Sequence, residues 1–248
     1  MGFLTEFGRY LLMLKRMLAK PENIKVYWKE LMHQCSEIGI GSLAIVSIIS
    51  FFIGAVSAVQ TAYQLVSPLL PKYVISQIVR EGMLLEFAPT LVCVVLSGVI
   101  GSKIASELGN MRVSEQIDAL EIMGINTKTY LVLPKILAAL ITIPFLIVIS
   151  AGLGIWGGRF VGNLAGIISP TVYDFGLMEN FNPFSVQFMI IKAYIFSFLI
   201  ASISSFYGYH VSGGALEIGR AGTKAVIVCC VSILLSDYVL TLLLLSVD

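Results

Sequence analysis

The sequence predicts an all-α membrane protein that crosses the bilayer with five transmembrane helices. Hydrophobic residues make up 57% of the 248 residues and charged residues only 12%, whereas soluble domains carry about 25% charged residues. Five apolar segments reach the length of about 20 residues that a membrane-spanning helix needs. We place these spans near residues 39–62, 84–104, 136–156, 188–207 and 225–245.

The N-terminal segment has the pattern of an amphipathic helix that lies in the membrane interface. Its apolar residues recur on one helical face, and its basic residues lie mostly elsewhere: Arg9, Lys15, Arg16 and Lys20. A basic amphipathic helix of this kind binds where headgroups meet acyl chains, and Pro21 would end or kink it. We therefore expect an interfacial helical region over residues 1–38, followed by one five-span domain over residues 39–248.

The distribution of lysine and arginine predicts the orientation in the membrane. With the N-terminus in the cytoplasm, twelve of the sixteen basic residues fall in cytoplasmic segments, and the other four are Lys72, Arg80, Arg159 and Lys192. This asymmetry follows the positive-inside rule. Because the number of spans is odd, the C-terminus is expected on the opposite side.

One polar stretch, residues 106–124, lies between the second and third spans on the predicted cytoplasmic side. Glu115 and Asp118 are near the start of a candidate helix, where the helix dipole favours negative charge, and Gly124 is placed to end it. Apolar residues at helical spacing would form one stripe: Val113, Ile117, Leu120 and Met123. Such a helix is either a docking surface for a protein outside the membrane or a loop helix lying on the headgroups.

Three charged residues lie within or beside the apolar segments. Glu86, at the edge of the second span, either reaches headgroups and water or faces an internal cavity on a substrate path. Asp237 lies deep in the last span, and Lys192 enters the fourth span to a comparable depth. Because an aspartate at mid-helix costs about 2.5–3.5 kcal/mol, it should be paired or hydrated. We predict a structural Asp237–Lys192 pair.

Small residues recur at every fourth position in two spans. In the second span they are Ser97, Gly101 and Ala105, and late in the third they are Gly154, Gly158 and Gly162. Such stripes let helices approach closely in lipid, either within one chain or between two chains.

Composition and motifs argue against several functions. The net charge of +1 gives no reason to expect a nucleic-acid partner. No G-x-x-x-x-G-K-[ST] phosphate loop is present, so we expect ATP hydrolysis only from a partner, and no catalytic residue, metal site or cofactor in this chain. His210 and Ser212 could suggest an intramembrane hydrolase, but residues two apart on a helix point away from each other.

The run E-L-G-N-M-R-V-S-E-Q-I-D-A-L-E-I-M-G at residues 107–124 resembles the signature of MlaE-type permeases, the membrane subunits of bacterial lipid-transporting ABC systems. Shorter pieces agree in order: K-P-E at 20–22, F-I-G at 52–54, G-I-W-G-G at 154–158 and D-Y-V-L-T at 237–241. The resemblance extends over residues 20–245.

This resemblance implies a homodimer in the bacterial inner membrane, with the N-terminus cytoplasmic and the C-terminus periplasmic. It implies a cytoplasmic ABC ATPase that binds ATP and Mg²⁺, a periplasmic MCE-domain protein and, in some systems, a small cytoplasmic regulatory subunit. The function implied is movement of phospholipid or a similar lipid between the inner membrane and a periplasmic carrier, which maintains outer-membrane lipid asymmetry. The alternatives are an ABC permease for another apolar solute and a non-transporting membrane scaffold.

The resemblance also implies roles for individual residues. It makes the polar stretch a coupling helix that inserts into the ATPase, through Glu107, Gly109, Met111, Arg112, Glu115, Gln116 and Asp118. It places a lipid cavity near the outer face, where the family can carry Arg-Glu and this chain has Leu85-Glu86, and Arg80 cannot simply be assumed to substitute. The cavity candidates are Ser57, Gln60, Tyr63, Gln64, Leu85 and Glu86.

Overall fold

The computed structural model describes residues 3–17, 24–65 and 71–245, and within these ranges the chain is helical without strands. The helices are α1 (Phe3–Met17), α2 (Ile24–Gln64), α3 (Val74–Gly82), α4 (Val92–Leu96), α5 (Ser102–Val113), α6 (Gln116–Ile122), α7 (Leu133–Leu164), α8 (Pro170–Met178), α9 (Pro183–Tyr209) and α10 (Ala215–Leu245). Three π-helical stretches lie between them: Met83–Leu91, Ser97–Gly101 and Lys128–Val132.

Five helical segments of the described chain are long and apolar enough to cross a membrane, which confirms the predicted all-α membrane fold. They are Lys25–Gln64, Val74–Val113, Lys128–Leu164, Pro183–Tyr209 and Ala215–Leu243. Each begins before the predicted span, and all but the last also end after it, because a helix can continue into polar sequence outside the hydrocarbon region. The second span begins at Val74, well before the predicted start near residue 84.

The described residues pack as two compact units. The first unit is drawn from Met1–Ser42, Val94–Ile143 and Ile195–Tyr238, and the second unit from Leu43–Cys93, Pro144–Tyr194 and Val239–Asp248.

In the first unit, α1 is anchored on α9 by one face. The Tyr10 hydroxyl hydrogen-bonds the Ser202 hydroxyl at 2.8 Å, and its ring packs edge-on against Phe206. Met13 is buried, whereas Phe7 on the same helix is exposed. The helix therefore offers apolar surface to its surroundings, as an interfacial helix does. Lys20 and Pro21, which we expected at its end, lie outside the described residues.

The small-residue stripes pack helices together within the chain. A Cβ on Gly208 of α9 would lie 2.6 Å from the carbonyl oxygen of Ala105 in the first unit, and a Cβ on Gly54 of α2 would lie 1.8 Å from that of Gly154 in the second. These distances leave no room for a side chain. Both stripes therefore serve intramolecular helix contacts of the small-xxx-small kind.

The segment between the third and fourth spans contains the helix α8. Pro170 stands in its first turn, where the missing N–H costs no hydrogen bond. Tyr173 is fully buried and donates its hydroxyl to the Ile155 carbonyl at 3.2 Å. Arg159 binds both carboxylate oxygens of Asp174, at 2.7 and 2.8 Å, so α8 is tied to α7.

Candidate functional site

The second unit contains an open cavity of about 530 Å³ between α2 and the segment from α3 into the following π-helical stretch. Its lining changes character along α2, from apolar side chains at Phe52 and Val56 to amides at Gln60 and Gln64. This grading results from the helical repeat, because residues at i, i+4, i+8 and i+12 share one face. The lining residues are Phe52, Ile53, Val56, Ser57, Gln60, Thr61, Gln64, Ile78, Gly82 and Phe87.

Three of the six cavity candidates, Ser57, Gln60 and Gln64, line this cavity together. Tyr63 is 83% exposed and lies outside the lining. Leu85 and Glu86 also lie outside it, although Phe87 of the same stretch contributes its ring.

Glu86 lies in the π-helical stretch Met83–Leu91, which also contains Pro89. Proline has no N–H, and its ring clashes with the carbonyl four residues earlier, so a regular α-helix cannot continue there. The carbonyl concerned is that of Leu85. Widened π turns of this type are frequent at functional sites.

The carbonyl of Leu85 and the carboxylate of Glu86 both accept hydrogen bonds from one buried lysine. Lys192 of α9 has a fully buried side chain, and its Nζ lies 3.0 Å from the Leu85 oxygen and 3.1 Å from Glu86 Oε1. The ammonium also lies 4.5 Å from the centre of the Phe188 ring. A buried ammonium is tolerated only when it is paired and hydrogen-bonded in this way.

Sequence reasoning missed the Glu86–Lys192 pair. Lys192 was assigned to Asp237, and that pair stays a prediction. Pro89 indicates a freed carbonyl at Leu85, but it does not identify the donor that binds there. Arg80 does not replace the arginine missing before Glu86, because its guanidinium is buried against the end of α8. It donates to the carbonyls of Leu177 (2.6 Å) and Asn180 (3.1 Å).

The predicted coupling stretch is two helices joined by a tight turn, not the single short helix we expected. The helix α5 ends at Val113, Glu115 adopts the left-handed conformation with φ of 59°, and α6 begins at Gln116. Gly124, at φ of 80°, ends α6 as predicted. Its N–H bonds the Glu121 carbonyl and that of Ile125 bonds Leu120, which is a Schellman motif.

Four of the seven predicted coupling residues have structural contacts in the first unit. Arg112 pairs with Asp118 across the turn at 2.5 Å, and Glu107 pairs with the buried Lys135 of α7 at 2.6 Å. Gly109 packs closely against Val211. Met111 is partly exposed, and Glu115 and Gln116 are exposed.

The end of α6 carries two exposed apolar residues, of which the sequence analysis named only Met123. Ile122 is 88% exposed and Met123 66% exposed, whereas Ile117 is buried. Val113 lies at the end of α5 and is separated by the turn at Glu115 from α6, which carries Ile117 and Leu120, so the predicted stripe is divided between two helices.

A hydrogen-bonded group anchors this end of α6 to the first unit. The Tyr209 hydroxyl donates to Glu121 Oε1 at 2.8 Å, and Thr127 donates to the same oxygen at 3.1 Å. These bonds favour the ionised carboxylate and lower the pKa of Glu121, the bond from Tyr209 most of all. The anchor is charge-assisted at neutral pH.

His210 and Ser212 do not form a nucleophile–base pair. The imidazole Nδ1 donates to the Phe206 carbonyl at 2.9 Å, and burial lowers the pKa of His210. No hydrogen bond joins His210 to Ser212 in the described part of the chain, and so the geometry gives the hydrolase alternative no support.

Comparison with known proteins identifies relatives over most of the chain. Residues 31–243 match the model of the family Permease MlaE. The chain is 36% identical over 216 residues to a probable ABC transporter permease protein of Rickettsia bellii, covering 87% of this chain and 83% of that protein. A probable ABC transporter permease protein of Synechocystis is 31% identical over 214 residues, covering 86% and 81%. The chloroplastic protein TRIGALACTOSYLDIACYLGLYCEROL 1 of Arabidopsis thaliana is 28% identical over 217 residues, covering 88% and 62%.

Proposed function

The chain belongs to the MlaE permease family, and from this membership we propose that it is the membrane subunit of an ABC transporter that moves phospholipid or a similar lipid. The observation that carries the proposal is the graded cavity of the second unit. A lipid needs apolar surface for its acyl chains and a few polar groups near its headgroup. Phe52 and Val56 offer the first, and Gln60 and Gln64 the second.

The Glu86–Lys192 pair supports a role for this region beyond packing. Charged groups within membrane spans usually mark substrate paths. Glu86 of this pair lies in the π-helical stretch, and the residue after it, Phe87, lines the cavity. The name of the Arabidopsis relative contains that of a galactolipid, which adds weight to a glycerolipid substrate.

An ABC permease implies an ATPase partner, and we propose that α6 and its exposed end dock to it. Ile122 and Met123 are apolar and solvent-facing, and Glu115 lies at the turn before them. ATP binding would close two ATPases, the coupling segments would transmit the motion, and the cavity of a permease homodimer would open or collapse around acyl chains. ATP and Mg²⁺ would be bound by the ATPase.

We propose a bacterial inner-membrane location with the N-terminus in the cytoplasm and the C-terminus in the periplasm. The basic residues of the sequence support this orientation through the positive-inside rule. With this orientation, a periplasmic MCE-domain protein would exchange lipid with the permease, and a small regulatory subunit would bind on the cytoplasmic side. Transport would maintain outer-membrane lipid asymmetry.

Native mass spectrometry on the tagged chain purified from its own membranes tests this function. We expect two permeases with two ATPases and bound phospholipid. Ser57→Trp should fill the cavity and remove the phospholipid while the ATPase remains. Val59→Trp is the matched control, because Val59 is an exposed residue of α2 outside the cavity lining.

The other outcomes would redirect the assignment. A bound ATPase with no phospholipid in the unmodified protein would favour an ABC permease for another apolar solute. A chain with neither ATPase nor lipid would favour a non-transporting scaffold. Equal lipid loss in both tryptophan variants would contradict the assignment of this cavity.

A further inference from the structure

The first unit contains a cavity of about 320 Å³ with a strongly polar lining, formed by α1, the end of α9 and the start of α10. It is separate in its residues from the cavity of the second unit. Three cations line it, Arg9, Arg220 and Lys224, together with the two carboxylates of Glu6 and Glu217. The lining therefore carries one more positive than negative charge, since burial lowers the pKa of His210 and keeps its imidazole neutral.

The two carboxylates are already neutralised by neighbouring cations. Lys224 pairs with Glu6 at 3.1 Å, and Arg220 pairs with Glu217 at 2.7 Å. Arg9, by contrast, forms no ion pair with any residue that the structure describes. The surplus positive charge is therefore that of an exposed guanidinium on the amphipathic helix.

This polar cavity borders an apolar one of about 470 Å³, and the two share Glu6, Phe206, Tyr207 and Lys224 in their linings. The apolar cavity continues along α10 through Val228 and along α9 through Ile203 and Leu199. Along α10 the lining thus changes from the charged Arg220 and Lys224 to the apolar Val228. Phe7 and Tyr10 of α1 complete the lining.

We propose that this two-part groove binds one anionic glycerophospholipid, with its phosphodiester at Arg9 and Arg220 and an acyl chain between α9 and α10. A single phosphodiester charge matches the single surplus positive charge, and guanidinium groups recognise phosphate by paired hydrogen bonds. The apolar cavity has a lining suited to a hydrocarbon chain. The lipid would fix the amphipathic helix α1 on the bundle, a role beyond the proposed transport function.

The test is native mass spectrometry of the full-length chain in detergent, titrated with dioleoyl phosphatidylglycerol or dioleoyl phosphatidylcholine. We expect the anionic lipid to bind more tightly. The double variant Arg9→Gln/Arg220→Gln should weaken that binding by about tenfold or more, since two charge-assisted contacts are lost. Lys15→Gln removes an exposed charge from the same helix outside both linings and should leave the affinity unchanged.

A second pair of variants tests the acyl-chain part of the groove. Val228→Trp should block it and weaken phosphatidylglycerol binding, whereas Val231→Trp, an exposed residue of α10 outside the lining, should not. Ser57→Trp should keep this affinity even where it removes lipid from the other cavity, which separates the two proposals. Equal binding of the two lipids, equal effects of Arg9→Gln/Arg220→Gln and Lys15→Gln, or displacement of the lipid by inorganic phosphate would overturn the proposal.

Discussion

Lys192 illustrates how a buried charge depends on a local break in a neighbouring helix. Its ammonium is fully buried, so it needs acceptors that a regular helix does not offer. Pro89 prevents an ordinary α-helical bond to the Leu85 carbonyl, and that carbonyl accepts from Lys192 at 3.0 Å. Glu86 supplies the opposite charge on the adjacent residue. The widened π turn thus supplies the acceptors that the buried lysine needs.

The first prediction concerns this ion pair. Lys192→Met should lower the thermal stability of the detergent-purified protein by about 1–3 kcal/mol, because Glu86 loses its charge partner and the Leu85 carbonyl loses a donor. Glu86→Gln in the same protein should restore part of the loss by removing the unpaired charge. Thermal unfolding followed by intrinsic fluorescence measures both effects.

Asp237→Asn in the Lys192→Met background tests the second pair that we predicted from the sequence. Rescue by Glu86→Gln alone would assign the structural role to Glu86, and rescue by Asp237→Asn alone would assign it to Asp237. If neither substitution restored stability, the charge-pair explanation would be wrong. Lys29→Met, at an exposed position of α2, serves as the control.

The second prediction concerns the anchor of α6. The hydrogen bonds of this anchor lower the folded-state pKa of Glu121. The ionised carboxylate therefore stabilises the fold at pH values above the ordinary carboxyl pKa, and this stabilisation is lost as the pH falls through the folded-state pKa. Tyr209→Phe removes the main cause of the shift. The Tyr209→Phe substitution should lower the free energy of unfolding by about 1 kcal/mol at pH 7. This is less than the roughly 1.5–3 kcal/mol typical of hydrogen bonds to charged groups, because Glu121 is exposed to solvent.

The pH dependence distinguishes this cause from lost packing. The stability difference between Tyr209→Phe and the unmodified protein should shrink as pH is lowered below about 4, where the Glu121 carboxyl becomes protonated in both proteins. A difference independent of pH would contradict the assignment to Glu121. Tyr207→Phe is the control on the same helix, since the Tyr207 ring lies against Lys224 and not against Glu121.

At the scale of helices, close packing of α2 on α7 depends on glycine at the contact. A Cβ on Gly54 would lie 1.8 Å from the Gly154 carbonyl oxygen, and a Cβ on Gly157 would lie 2.4 Å from that of Phe51. Backbone atoms cannot move away as a flexible side chain can, so the two helices would have to separate. The third prediction follows from this contact.

Gly54→Ala should destabilise the protein by about 1–3 kcal/mol, the usual cost of overpacking, or more because the clash is with backbone. Gly152→Ala is the matched control on α7, where an added Cβ would meet nothing within 4 Å. It should be neutral or stabilising, because alanine favours helix by about 1 kcal/mol over glycine. Thermal unfolding of the two variants, measured in parallel, decides; equal effects would contradict a packing role for Gly54.

The spans were predictable from the sequence, whereas their ends and partners were not. Apolar length identifies the part of a helix in hydrocarbon, so all five spans were found, but the start of the second span at Val74 is set by packing of α3 on α8. The helix α8 itself is short and has no long apolar run. The small-residue stripes were visible in the sequence, but periodicity alone does not identify the helix against which each stripe packs.

The candidate site shows the same difference between what a local sequence pattern predicts and what tertiary packing decides. Ser57, Gln60 and Gln64 lie together because they share one face of α2, which helical periodicity alone dictates. The partner of Glu86 depends on where α9 places Lys192, and no local pattern around residue 86 contains that information. The exposure of Ile122 and Met123 depends on the Schellman turn after α6, for which Gly124 was the only signal.

At the scale of the whole molecule, the exposed end of α6 is the surface that we propose for an ATPase partner. It carries no phosphate-binding loop, and membership in an ABC permease family implies an ATPase partner. The exposed end of α6 offers apolar contact area without a visible folding role, because Ile122 is 88% exposed. Exposed apolar residues beside charged ones are typical of protein interfaces.

The last prediction tests this docking surface in the assembled transporter. Ile122→Asp and Glu115→Lys should each leave a folded permease with unchanged thermal stability but reduce the ATPase recovered with it on purification, by about tenfold or more for an apolar contact replaced by a charge. Glu115 already adopts the left-handed conformation, so lysine there adds no new backbone demand. Met178→Asp, at an 82% exposed position on α8, controls for adding a charge to an exposed methionine. Full ATPase recovery with both variants would show that α6 is a surface helix and that coupling occurs elsewhere on the chain.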